Sequence, residues 1–252
     1  MPSRSRRPTS SKGFDKTIPS VAAVAAPPAA PTVDILRRWG VTVDQLTKLV
    51  DENPSLRGIM LGYVAEYHLT KLLAASDQIS DSLKYDDHDR TRKGDRVVSY
   101  KGQRFIIESK SLQTNHVRDL GGGKWSGRAQ VDGSDRRTVT FPDRTKLETT
   151  LLLRGGFDVL AVNCFAFGGT WQWAFCKNSD LPRSAHKKYT DAQRAGLLAS
   201  LVNVGWPPSQ PFTDDLFKVL DSLVAERSGA AASSSSRRRG SKSDSSGRAP
   251  AS

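Results

Sequence analysis

The chain has only two cysteines, Cys164 and Cys176, in 252 residues, with no pair at metal-ligand spacing. Both fall in apolar runs, which predicts buried free thiols in a reducing compartment. No stretch approaches the length of a membrane span. The apolar run at 21–26 follows an Arg-rich start, as in a signal or transit peptide, but it is too short and stops at Pro27 and Pro28. A soluble, cytoplasmic protein is expected, with no membrane partner. A phosphate-binding P-loop is excluded at the glycine run 121–123: Lys124 is followed by Trp125, and no Gly stands five positions before Gly123. Helix-turn-helix and zinc-finger signatures are missing as well, so any nucleic-acid specificity is expected to reside in loops.

What the chain has in excess is positive charge, a net +12, and its distribution is uneven. Residues 1–32 carry five basic residues and one acidic, and residues 229–252 again five and one, which leaves a net +4 between them. Both ends are rich in Ser, Ala or Gly with Arg and bury too little apolar surface to offset their ordering entropy, so disordered tails are expected there. Such arms either bind phosphates non-specifically, with strong salt dependence, or only solubilise the chain. Residues 33–228 are large enough for one folded domain with a substantial core.

Within that domain, Thr42 followed by Gln45 predicts a capping box opening a short helix. A second helix is expected over 54–75, with Leu56, Ile59, Tyr63, Glu66, Thr70 and Leu73 on one stripe. Glu66 is a carboxylate on an apolar face, which requires a cation such as Arg57 or a metal. Residues 80–92 are read as holding a first strand and include Asp87 and Asp89. A hairpin follows at 94–110, then a Gly- and Arg-rich loop at 121–137. A helix is expected over 143–154, strands over 157–167 and 170–176, a helix capped by Thr190 and Gln193 through about 202, and a last amphipathic helix from 213 to about 227.

The hairpin at 94–110 carries the chemistry. Asp95 opens one strand, and Glu108 and Lys110 lie near the end of the next, on one face because strand side chains alternate. Two carboxylates with an ammonium beside them form a hard-oxygen site suited to Mg²⁺. Asp87 and Asp89 are the rival carboxylates to Asp95, ranked below it because no short apolar strand follows them directly.

An Asp, a spacer, then Glu, any residue and Lys on an apolar strand resembles the PD-(D/E)XK nuclease superfamily, the fold of many restriction endonucleases. Gly94 stands where the family name has Pro. The resemblance covers roughly residues 54–178 and implies an α/β, restriction endonuclease-like core: a central mixed sheet flanked by helices, in the order helix, three strands, helix, two strands. It also implies that Asp95, Glu108 and Lys110 are catalytic, that Glu66 is a third acidic ligand, and that the backbone carbonyl of Ser109 adds a metal ligand. Gln130 stands near where some members place a Gln beside the catalytic group. Lys124, Arg128, Gln130, Arg136 and Arg137 are candidate DNA contacts.

The activity implied is Mg²⁺-dependent hydrolysis of double-stranded DNA, as by a type II-like restriction endonuclease. A homodimer and a cognate methyltransferase are the partners such a role implies. The alternatives are a repair or mobile-element nuclease of low sequence specificity, a non-cleaving DNA-binding module on the same fold, and an enzyme acting on another phosphate ester or on RNA.

Overall fold

A computed structural model describes residues 34–84 and 94–240. The end segments 1–33 and 241–252, and the stretch 85–93 with Asp87 and Asp89, lie outside the described residues. The chain divides into two compact units, residues 1–52 and 53–252.

In the first unit, α1 (Ile35–Trp39) starts at Asp34, whose side chain accepts from Arg37 N, and ends at Gly40 in the left-handed conformation. Helix α2 (Val43–Glu52) has the expected capping box: Thr42 Oγ1 accepts from Gln45 N at 3.2 Å and Gln45 Oε1 accepts from Thr42 N at 2.8 Å.

The second unit opens with α3 (Pro54–Ala74), with Pro54 in the first turn where its missing N–H costs nothing. Its buried residues are Ala65, Leu69 and Leu73, whereas Leu56, Ile59 and Tyr63 are exposed. The expected stripe is thus rotated by about one position, because the helix meets the sheet only with its C-terminal half.

The central sheet contains β1 (Ile79–Lys84), β2 (Arg96–Tyr100), β3 (Gln103–Ser111), β8 (Val159–Asn163) and β9 (Trp173–Lys177), in the order β1-β2-β3-β8-β9. All neighbours are antiparallel except β3 and β8, which run parallel with Glu108 opposite Leu160 and Lys110 opposite Val162. The protein is therefore a mixed α/β fold on a central sheet, as expected. One face packs Phe105, Ile107, Val159, Ala161 and Phe175 against α3 and against α5 (Leu216–Gly240). Phe105 and Ile107 are fully buried, each worth about 2–3 kcal/mol of apolar transfer. Arg227 of α5 anchors that helix: it lies 4.4 Å over the Phe105 ring and donates to Asp158 Oδ1 at 2.6 Å.

The other face is covered by strands, not by helices. Between β3 and β8 the chain forms β4 (Arg118–Gly121), β5 (Lys124–Gln130), β6 (Asp132–Thr140) and β7 (Lys146–Leu151). The loop expected at 121–137 and the helix expected over 143–154 are both corrected by these elements. Thr149 and Leu151 are buried while Glu148 is exposed, a period-two pattern against β6 that β-branched Thr149 and Thr150 favour. The helix expected from Thr190 stops after α4 (Asp191–Gly196), and 201–206 form β10. Strand β10 joins β5 and β4 in a second sheet of order β10-β5-β4. Alternation of Val202 and Val204 with exposed Leu201 and Asn203 explains the choice of strand. Helix α5 runs to Gly240, beyond the end expected near Arg227 and into the segment expected to be a tail.

Cys164 and Cys176 are free and buried as expected, and burial pushes both thiols up to about 12. Among the described residues no helix is long and apolar enough to cross a membrane.

Candidate active site

Gly94 fixes where Asp95 enters. Its φ is +76°, and a Cβ there would lie 2.2 Å from Ile106 Cγ2. A Pro at that position could not adopt that angle, and Gly meets it without strain. Replacing Gly94 by Ala is expected to cost about 1–3 kcal/mol through the left-handed backbone and the clash. Thermal melting of Gly94→Ala checks this, and Gly94→Ala with Ile106→Ala should recover part of the loss.

From that turn, Asp95 N donates to Ile107 O at 3.0 Å, and Asp95 Oδ2 accepts from Ser109 N at 2.7 Å. The carboxylate is thereby held against β3 beside Glu108 and Lys110. Burial pushes Asp95 up to about 7, and Glu108 adds to the rise, while Lys110 and the Ser109 N–H oppose it and Glu66 adds a little more.

Glu108 is buried, and its Oε1 lies 2.7 Å from Lys110 Nζ. Burial pushes Lys110 down, but Glu108 and Asp95 outweigh it, and the net direction is up. Lys110 is therefore an ammonium at neutral pH, a donor and point charge and not a base. Arg137 lies close enough to act on Lys110 in the opposite direction.

Glu66 projects from the half-buried flank of α3. Lys84 Nζ stands 2.7 Å from its Oε2, yet that buried oxygen receives no hydrogen bond of good direction among the described residues. The short distance makes the contact an ion pair all the same. A cation partner is thus present, Lys84. Glu66 acts electrostatically on Asp95 and on Arg96.

Arg96, unflagged in the sequence, is a buried cation that donates to Ser82 Oγ at 2.9 Å and Thr70 Oγ1 at 2.6 Å. It ties β1 and α3 to β2, the strand that Asp95 immediately precedes. Its only sequence signal is a charge opening the apolar run Val97-Val98, too common a pattern to single it out.

Asp95, Glu108 and Lys110 therefore meet at one place, with Glu66 and Arg137 within electrostatic reach. Lys124, Arg128, Gln130 and Arg136 are exposed and lie outside this cluster. Gln130 is held by Gln113 Nε2, which donates to its Oε1 at 2.5 Å. Among the described residues no three His, Cys, Asp or Glu side chains converge as a metal cage. The donor set that fits a divalent cation is the Asp95–Glu108 pair, with the carbonyl of Ser109, the residue after Glu108. Hard oxygens, crowded so that one holds a proton near pH 7, suit Mg²⁺.

No family model matches the chain, and no curated protein does. A solved structure similar to it is that of a bacterial homing endonuclease, at 15% identity, covering 54% of this chain and 85% of that one, with a TM-score of 0.30. A likeness at that score carries no argument about fold or function.

Proposed function

We propose that the protein is a metal-dependent endonuclease that hydrolyses phosphodiester bonds in double-stranded DNA, as a type II-like restriction endonuclease. The observation that carries this reading is the meeting of Asp95, Glu108 and Lys110, with Lys110 Nζ 2.7 Å from Glu108 and Asp95 braced by Ser109 N at 2.7 Å. Asp95, Glu108 and the Ser109 carbonyl would hold Mg²⁺, with Glu66 as an outer acidic ligand, and the ion would supply charge neutralisation at the scissile phosphate and a more acidic water.

The chain's own residues supply the remainder. Asp95 must lose its proton to bind metal, so its raised pKa sets the lower pH limit of activity. Lys110, kept charged by Glu108 and Asp95, donates towards the phosphate or the attacking water and stabilises the charge that develops there. Arg137 adds positive charge on the same side. A homodimer matches a palindromic site, since protein two-fold symmetry mirrors that of the DNA. A methyltransferase of matching specificity is the partner a restriction role requires.

Purified protein incubated with mixed plasmid and phage DNA in Mg²⁺ tests the reading. Discrete fragments that disappear in EDTA are expected. A smear with the same metal dependence would replace the restriction role by that of a nuclease of low specificity. Equal cleavage in EDTA, or tight binding without cleavage, would overturn the reading.

A further inference from the structure

The second sheet has a face that the catalytic cluster does not use. On β5, Gly127 and Ala129 are buried in the core, so Lys124, Ser126, Arg128 and Gln130 face the other way. Pairing carries that face across its neighbours: Asn203 stands opposite Arg128, Leu201 opposite Gln130 and Arg118 opposite Ser126. Arg118, Lys124, Arg128, Gln130 and Asn203 are all exposed. The side chains of Arg118, Lys124 and Arg128 form no ion pair among the described residues. Asp119, the one acid of the ribbon 118–130, is turned to its own loop, where its Oδ1 accepts from Gly121 N at 2.8 Å.

We infer that this face is the DNA-reading surface, with the β4–β5 ribbon entering the major groove of duplex DNA. The inference rests on the nuclease reading for its biological sense, but on charge and shape for its content. Arg118, Lys124 and Arg128, with no ion pair among the described residues, share a face with Gln130 and Asn203 and match phosphates beside base edges, which Gln and Asn read. Strand β10 covers β5 as far as Trp125, so only the tip of the β4–β5 hairpin stands two-stranded, and with strands about 4.8 Å apart that tip fits a groove about 12 Å wide.

The ribbon's tip is made only of Gly121, Gly122 and Gly123, with φ of 79°, 60° and 75°. A Cβ at any of them would meet nothing within 4 Å, so the tip is narrow because of its backbone angles and not because of crowding. The ribbon is also tied to the catalytic strand. Leu112 bridges Ala129, Gln113 N donates to Arg128 O at 2.8 Å, and Gln113 holds Gln130. Gln113 lies three residue steps from Lys110, a reach of about 10 Å when extended, so a ribbon in the groove brings the neighbouring backbone towards the cluster.

The test is fluorescence anisotropy of a 30-bp duplex against salt, for the full chain and its variants, each checked for fold by circular dichroism and melting. Arg118→Ala with Lys124→Ala and Arg128→Ala should weaken binding at least tenfold and flatten the log–log salt slope by about 2–3, near 0.9 for each phosphate no longer neutralised. Arg118→Lys with Arg128→Lys should keep most of the slope, which separates loss of charge from damage to the sheet. Lys187→Ala with Lys188→Ala and Lys218→Ala removes the same charge elsewhere and should leave the slope unchanged. Asn203→Ala should leave the slope intact and alter which sequences are bound or cut.

A wild-type slope in the ribbon triple variant would overturn the inference, as would no duplex binding by the wild type or tighter binding to RNA. If the wild type never cuts but the ribbon triple variant loses duplex binding, the nuclease reading fails and the DNA-reading face stands. If cleavage depends on Glu108 while the triple variant binds normally, the reverse holds.

Discussion

Lys110→Ala should reduce DNA cleavage by about a hundred- to a thousandfold at saturating metal while leaving duplex affinity within a few-fold of wild type. The magnitude is that expected when a preorganised donor aimed at developing charge is removed from a shielded site. Binding should survive because Lys110 is mostly buried and bonded to Glu108, while Arg118, Lys124 and Arg128 of the ribbon are exposed. A second consequence separates catalysis from folding. Lys110 holds the Asp95 pKa down against burial and Glu108, so its removal should move the lower pH limit of any residual activity upward. Lys110→Arg restores the charge but not the shape, and the larger fork should recover only a small part of the rate. Single-turnover cleavage and anisotropy, measured on the same preparations across pH 6–9, check both statements.

Without divalent metal, the protein should lose stability as pH rises from about 4 to about 7. Asp95 titrates at about 7 in the fold and at 3.8 as a free side chain. Between those values the folded state keeps a proton that the unfolded state has released, so stability falls with rising pH through that window and is level above it. The upper bound is about 4 kcal/mol at 1.36 kcal/mol for each pH unit. Half of the bound would lower the melting temperature by about 4–8 °C for a domain of this size. Asp95→Asn should flatten the profile and be more stable than the wild type at pH 8 in EDTA. A divalent cation competes with the proton and binds only the folded pair, so Mn²⁺ should raise the melting temperature more at pH 8 than at pH 5. Thermal shifts over pH 4–8.5, with EDTA or Mn²⁺, give the answer. An Asp95→Asn profile as steep as the wild type's would place the titrating group elsewhere.

The candidate site was legible in the sequence because strand periodicity is local. Glu108, Lys110 and the buried Phe105 and Ile107 alternate over so few residues that only one register places the apolar pair inside. Capping was legible for the same reason, as at Thr42 with Gln45. The second β layer was not. Residues 143–154 and 197–202 contain enough Leu, Ala and Glu to suit a helix, and what makes them strands is pairing with distant segments: β7 with β6, and β10 with β5. Non-local pairing overrides modest intrinsic preference. Arg96 and the Glu66–Lys84 pair escaped because each depends on which elements become neighbours, a matter settled only once β1, β2 and α3 pack together. The ribbon's reading face was hidden for the same reason, since residues read as a loop have no common face to share.

The most direct measurement compares supercoiled plasmid cleavage by wild type and Asp95→Asn in Mg²⁺, Mn²⁺ and EDTA at pH 8. Conversion to nicked and linear DNA by the wild type with either metal is expected, with none in EDTA and at least a hundredfold less by Asp95→Asn. Cleavage that persists in EDTA, or that survives Asp95→Asn unchanged, would contradict a metal-dependent site built on Asp95, Glu108 and Lys110.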